Sequence, residues 1–199
     1  MFRGVILPRS FYNDAPDVVA RRLLGKVLVR RSEGQRLAGR IVETEAYFGI
    51  DDPAAHAFAG KTPRNAVLFG PPGFAYVYFI YGIHFCLNIS CEPDGKAGCV
   101  LLRALEPLEG LPAMADLRGL GPDANPRLLA SGPGRLCQAL GITRETHNGI
   151  DVTSPRSSLY VEDDGGSPGE IAATPRVGIR KAAERPLRFA IRGNRFVSR

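Results

Sequence analysis

The sequence predicts an α+β fold: a single mixed domain over 1–199, with a curved, mostly antiparallel β-sheet, short flanking helices and a protruding β-hairpin. Three observations carry this. A chain of 199 residues fits one domain and suffices to bury a sizeable core. Its 23 glycines and 16 prolines break helices and argue against a helical bundle. Its β-rich runs follow one another closely, so strands are expected to pair with their sequence neighbours.

The elements follow in order. Pro8 to Tyr12 reads as an irregular lead-in. Asn13 or Asp14 suits an N-cap, Pro16 a first helical turn and Gly25 a stop, with Val19, Leu23 and Leu24 on one face. A helix is therefore expected from about Pro16 to Leu24. Lys26–Arg31 reads as a strand, and Arg36–Tyr47 as a longer one after a turn at Ser32–Gly34. Strict alternation in the second places Ile41, Glu43, Glu45 and Tyr47 on one face and Val42, Thr44 and Ala46 on the other. Asp51 to Gly73 is a long polar loop of the kind that often carries function. Phe74 to Ser90 holds two β-rich runs around Tyr81-Gly82, read as a tight hairpin. A strand over Val100–Glu106 precedes a helix from Leu108 to about Leu117 and a linker over Gly119–Pro126. Ser131-Gly-Pro-Gly opens a short helix, Arg135–Leu140, whose start resembles an anion-binding terminus. Val152–Tyr160 has room for a strand or two, Asp163–Gly169 is an exposed acidic turn, and Arg176–Arg180 and Leu187–Arg192 read as closing strands.

Composition narrows the class. Hydrophobic content of 44% and charged content of 23% are those of a soluble globular protein. The net charge of +6 is compatible with a polyanionic partner. From Arg176 to Arg199 there are eight basic residues against Glu184 alone, either a solvated tail or a contact surface. Cys86, Cys91, Cys99 and Cys137 form no C-x-x-C pair, and no histidine stands near one at zinc spacing, so neither metal nor cofactor is expected. The apolar runs around Cys86 and Cys99 suggest buried thiols in a reducing compartment. With no secretory leader and no membrane-spanning run, a cytoplasmic location without a membrane partner is expected, at the nucleoid if the source is bacterial.

A handful of residues raise chemical questions. Glu45, near the end of an apolar strand, is either a general base or the ion-pair partner of an arginine. Glu43 makes it a carboxylate pair of the type sugar hydrolases use, yet the chain has no tryptophan and nothing resembling a carbohydrate groove. Tyr47, His56, Tyr76, Tyr78 and Tyr81 form an aromatic set; tyrosines on such a strand more often pack a sheet than bind a ligand, but such rings are also what a flipped nucleobase needs for stacking. Tyr81 at a hairpin tip has the shape of a wedge that enters a base stack, unless the tip packs on a neighbouring loop. Arg103 lies within the apolar strand Cys99–Leu105 and calls for a carboxylate partner such as Glu45 or Glu43. Asn88 is an amide inside another apolar run, and its donors and acceptors must be satisfied. Three readings remain open on these residues: a base-excising enzyme, a non-enzymatic nucleic-acid module, and a sugar or nucleotide hydrolase using both glutamates.

The motifs resemble those of the alkyladenine (3-methyladenine, alkylpurine) DNA glycosylase family. The matching strings run in family order: Leu23-Leu-Gly-Lys-Val-Leu-Val29, Arg40-Ile-Val-Glu-Thr-Glu-Ala-Tyr47, Ala54-Ala-His56, Thr62-Pro-Arg-Asn65, Tyr76-Val-Tyr-Phe-Ile-Tyr-Gly82, Asn88-Ile-Ser90, Leu101-Leu-Arg-Ala-Leu-Glu-Pro107, Ser131-Gly-Pro133, Arg176-Val-Gly178 and Pro186-Leu-Arg-Phe189. The resemblance implies a monofunctional glycosylase that flips alkylated or deaminated purines from double-stranded DNA and hydrolyses the N-glycosidic bond, without strand cleavage and acting as a monomer. It implies Glu45 as general base, with Arg103 and the Val177 carbonyl helping to hold the water. Tyr47 on one side and His56 with Tyr78 on the other would enclose the base, beside Ala54. Asn88 would crowd the 2-amino group of normal guanine, and Tyr81 would intercalate. For Glu43 a structural, ion-paired role is expected. Arg64, Arg135, Arg176, Arg180 and Lys181 are the expected phosphate contacts.

Overall fold

A computed structural model describes residues 4–32, 34–80 and 82–198. Its sheet grows outward from one long strand, β3 (Gln35–Phe48). On one edge β3 pairs with β6 (Gly98–Glu109), which pairs with β5 (His84–Ser90), which pairs with β4 (Ala75–Ile80). The other edge is shared. β2 (Val27–Ser32) takes residues 35–40 and leads to β7 (Leu159–Asp163) and β1 (Val5–Ile6), whereas β9 (Arg188–Ile191) takes residues 43–45 and carries β8 (Ile171–Thr174). Every one of these pairings is antiparallel, the arrangement expected when strands pair with sequence neighbours.

The alternation along β3 is broken, and this moves the chemistry. Ile41 faces Leu105 and Glu43 faces Ala104, so Val42 is an extra residue; Thr44 then faces Leu102, so Arg103 is extra on β6. Each extra residue is a bulge that re-aims its neighbours. Ile41 therefore belongs to the main core with Ala46 rather than sharing the face of Glu43, and Val42 packs with Ala104 and Phe196 instead of siding with Thr44 and Ala46. The second bulge restores the register and leaves Arg103 beside the two glutamates.

Helix α1 (Arg9–Tyr12) occupies the expected irregular lead-in. Helix α2 (Pro16–Leu23) begins at Ala15, not at an Asn13 or Asp14 cap, because the Asp14 side chain accepts from Ala15 N and pairs with Arg22. Val19, Ala20 and Leu23 face the sheet, and Thr44 Oγ1 donates to the Ala20 carbonyl at 3.0 Å. Helix α3 is Leu111–Leu117, shorter than expected because β6 continues through Leu108. Helix α4 (Arg127–Ala130) lies just beyond the expected linker, and α5 (Pro133–Ala139) starts two residues earlier than expected, on its proline. The helix α6 (Arg144–His147) has a true cap, Thr143 Oγ1 accepting from Thr146 N. Leu23, Leu28, Leu87, Val100, Leu136 and Phe189 are among the side chains of the main core between the sheet and these helices; each contributes about 1.5–3 kcal/mol by leaving water.

The hairpin loop spans three residues rather than two, since Ile80 faces His84 across the ladder. Gly82 holds φ 71 there, and Tyr81 lies outside the described residues. The stretch 176–180 is not a strand. Gly178 at φ 77 interrupts it, and β8 at Ile171–Thr174 pairs with β9 instead. Among the described residues no helix is long and apolar enough to cross a membrane. All four cysteines are buried free thiols.

Buried His147 is the last residue of α6, bonded to the Thr146 hydroxyl at 2.6 Å and approached by Arg30. Burial, then the charge of Arg30, lowers its pKa below the ordinary 6.5. The unfolded chain therefore takes up this proton first. The contribution is complete above the unfolded value and is lost as pH falls through the folded one. Urea denaturation between about pH 5 and pH 7 should show stability falling toward acid, with a shallower fall in His147→Gln; an unchanged slope in that variant would contradict the assignment.

Candidate active site

Two adjoining cavities at the β4, β3 and β6 ends form one cleft. The first, about 140 Å³, is lined by Tyr47, Ala54, His56, Tyr76, Tyr78 and Asn88, with Ile179 at its border. The second, about 240 Å³, is lined by Glu45, Arg103, His84, Cys86, Pro133 and Val177. Tyr47, Tyr78, Ile80 and Ile179 line both, so these side chains are the partition between an aromatic lobe and a charged lobe.

The aromatic lobe is built from strand period and loop anchors. Tyr76 and Tyr78 project from the same face of β4, with ring centroids 5.6 Å apart. His56 stands edge-on to Tyr78 at 4.4 Å, and its Nδ1 is 3.0 Å from the Tyr76 hydroxyl. Burial, reinforced by the charge of Arg64, lowers the His56 pKa, so the ring is neutral at neutral pH. Asn65 fixes this loop: its Nδ2 donates to the carbonyls of His56 and Gly60, and its Oδ1 accepts from Thr62 N. Asn88 is anchored by donating to the Tyr76 carbonyl at 3.2 Å while Cys99 Sγ approaches its Oδ1 at 3.8 Å. Burial and neighbouring groups push the Tyr78 hydroxyl up, and Tyr76 up to about 12, so both rings stay neutral.

In the charged lobe, Glu45 is fully buried yet lines the cavity. Its Oε1 accepts from Val177 N at 2.7 Å and lies 3.2 Å from Arg103, and its Oε2 accepts from the Tyr47 hydroxyl at 2.8 Å. A carboxylate offers about four acceptor sites, so Oε2 retains room for one further donor. Burial and the Glu45 charge push the Tyr47 hydroxyl far up, which keeps it a donor. Glu43 is spent elsewhere. Its Oε1 accepts from Arg103, Arg188 and Ser198 Oγ, and its Oε2 from Ser198 N. Burial alone would raise its pKa, but Arg103, Ser198 and Arg188 outweigh it and hold the carboxyl below the usual range.

The expected phosphate contacts separate. Arg64, Arg135, Arg180 and Lys181 are exposed. Arg176 is not: its side chain is 0% exposed and bonded to Asp52, with Nη2 donating to Oδ1 at 2.9 Å, and to the Ala46 carbonyl. That placement withdraws it from any phosphate. Asp52 also accepts from the amides of Phe48 and Ala54, tying the loop that carries His56 to the end of β3. Sequence reasoning passed over Asp52, Arg188, Ser198 and Arg127. Asp52 looks like an ordinary loop acid beside Pro53, and nothing local signals its burial. Arg127 joins Arg103, Arg135, Ser131 and Ser198 around a basin of about 420 Å³ that shares Arg103 and Pro133 with the charged lobe and, among the described residues, has no acidic lining residue.

The site thus joins a ring-lined slot to a buried carboxyl on a basic chain. Comparison with known proteins gives the family. A family profile described as Methylpurine-DNA glycosylase (MPG) matches residues 10–195. The chain is 60% identical to a protein of Koribacter versatilis over 192 residues, covering 96% of this chain and 92% of that one. It is 49% identical to one of Burkholderia cenocepacia and 50% to one of Rhodopseudomonas palustris, each over 196 residues, 98% of this chain and 92% of theirs. All three bear the name "Putative 3-methyladenine DNA glycosylase". The chain belongs to the methylpurine-DNA glycosylase family.

Because Glu43 neutralises two arginines inside the protein, Glu43→Ala leaves uncompensated buried charge. A loss of about 3–5 kcal/mol is expected by urea denaturation; a loss below about 1 kcal/mol would mean that the cluster carries little of the fold.

Proposed function

We propose that this enzyme everts a damaged purine from duplex DNA into the aromatic lobe and hydrolyses its N-glycosidic bond with water activated by Glu45. The observation that carries the reading is the placement of Glu45, buried beside the ring partition with one acceptor site free. A water donating to Oε2 passes a proton to Glu45 as its oxygen bonds to C1′ of the deoxyribose. The C1′–N bond breaks, and its electron pair leaves with the purine. Alkylation at N3 or N7 makes the purine cationic, so it departs neutral. The Val177 amide and Arg103 hold Glu45 in place, and Arg103 and the Val177 carbonyl are assigned to helping hold the water.

Tyr47 on one side and His56 with Tyr78 on the other enclose the base, and Ala54 borders it. A cationic ring gains about 0.5–2 kcal/mol on such π-faces. Asn88, fixed by its bond to the Tyr76 carbonyl, crowds a 2-amino group. Tyr81 fills the gap left in the duplex; Phe79 and Ile83, two residues before and after it in the sequence, are exposed apolar side chains, 46% and 67% accessible, and suit a wedge into a base stack. No lysine is among the described residues lining either lobe, which favours hydrolysis by water over Schiff-base chemistry and strand cleavage. A sugar hydrolase using both glutamates is disfavoured because the oxygens of Glu43 already accept from Arg103, Arg188 and Ser198.

Duplexes carrying single lesions (3-methyladenine, 7-methylguanine, hypoxanthine, ethenoadenine) test this. Glu45→Gln should still bind a lesion duplex but excise it at least about 100-fold more slowly, and borohydride should trap no adduct with the wild type. Full excision by Glu45→Gln would refute the base assignment. The exposed cations Arg64, Arg135, Arg180 and Lys181, with Arg127 at the basin, are assigned to phosphates. Affinity should then fall steeply with salt, and Arg127→Ala or Arg135→Ala should each lower the slope of log K against log salt by about 0.9; unchanged slopes would remove those two residues from the contact surface.

A further inference from the structure

We infer that the buried Arg176–Asp52 pair sets how strongly the cleft prefers cationic over neutral purines, by controlling the electron density of the Tyr47 ring. This rests on the reading that Tyr47 stacks on the everted base.

The Arg176 guanidinium lies over the Tyr47 ring, 4.6 Å from its centroid. Tyr47 lines both lobes, whereas Arg176 lines neither and its side chain is wholly buried. The cation therefore covers the face of the ring turned away from the cleft. A π-face attracts cations through its quadrupole. A cation on one face draws density toward itself and leaves less for a second cation on the other. Glu45 acts in the opposite sense, because its carboxyl accepts the Tyr47 hydroxyl proton at 2.8 Å and feeds density into the ring. Both influences reach the phenol: burial and then Glu45 push its pKa up, and Arg176 pulls it down. Asp52 limits the pull by pairing with two guanidinium nitrogens. The stacking surface is thus held between a carboxyl at its edge and a half-neutralised cation at its back. A bare tyrosine would favour alkylated, cationic purines more strongly. The tempered ring narrows the gap, so that neutral deaminated purines are not outcompeted for the slot.

The test compares affinities for otherwise identical duplexes holding cationic 7-methylguanine or neutral hypoxanthine, each on a 2′-fluoro sugar that slows bond cleavage, in variants checked for folding by thermal melting. The double variant Asp52→Asn/Arg176→Met removes both charges without stranding either in the interior. Its ratio of 7-methylguanine to hypoxanthine affinity should rise about three-fold or more over wild type. Asp52→Asn alone frees the guanidinium charge and should move the ratio the other way. A purely structural role for the pair predicts equal losses on both lesions. If either folded variant keeps the wild-type ratio, or shifts it opposite to the stated direction, the inference is overturned. Wild-type protein that excises neither lesion from the unmodified duplexes would defeat the proposed function instead, a distinguishable outcome.

Discussion

The fold is organised around the cost of burying two carboxyl groups two residues apart on one strand. Glu43 and Glu45 are both fully buried, and an uncompensated charge in that position would cost several kcal/mol. The chain answers from several directions in sequence. Arg103 comes across β6, Arg188 across β9, Val177 from the loop after β8, and Ser198 from the last described residues. The compensating bulges on β3 and β6 belong to the same solution. They turn Glu43, Glu45 and Arg103 to one side without displacing Ile41 and Leu105 from the core.

This satisfaction is unequal, and the inequality separates structure from chemistry. Glu43 is saturated by permanent donors and acts as the keystone for the C-terminal wrap. Glu45 has the same burial but fewer donors and faces a cavity. A second buried pair, Asp52 with Arg176, repeats the strategy one layer out. It binds the His56 loop to the strand end and backs the Tyr47 ring, so the slot walls and Glu45 share one polar framework. Preorganised groups of this kind spend no energy on reorganisation when charge develops at the reacting centre.

Much of this was legible from residue type and spacing. The α2 face, the long strand through Glu45, the β4–β5 hairpin and the demand of Arg103 for a carboxylate partner all followed from periodicity or burial cost. Where local reasoning failed, long-range geometry decided. Strict alternation misplaced Ile41 and Val42, because a bulge adds a residue that no propensity scale marks. Arg176–Arg180 reads as a strand and Arg176 as a phosphate contact; instead Gly178 breaks the stretch, and Arg176 turns inward to an aspartate 124 positions away. Asp52 and Ser198 carried no local signal, since their importance exists only once distant segments meet.

The elements differ in rigidity in a way that matches their tasks. Glu45, Tyr47, Tyr76, Tyr78, Asn88 and Arg103 all stand on strands of the sheet, where ladder pairing restricts backbone and rotamer freedom even on the edge strand β4, which pairs with β5 alone. The surface cations sit otherwise: exposed Arg64, Arg180 and Lys181 on irregular loops, and partly exposed Arg127 and exposed Arg135 on short helices at the rim. Under the proposed function, charge attraction to a phosphate backbone would tolerate placement on loops, because it falls off gently with distance, whereas proton transfer from a water to Glu45 would not. A sheet that forks at β3 meets both demands, since the fork buries the carboxyls between β6 and β9 and leaves the connecting loops free to line the rim.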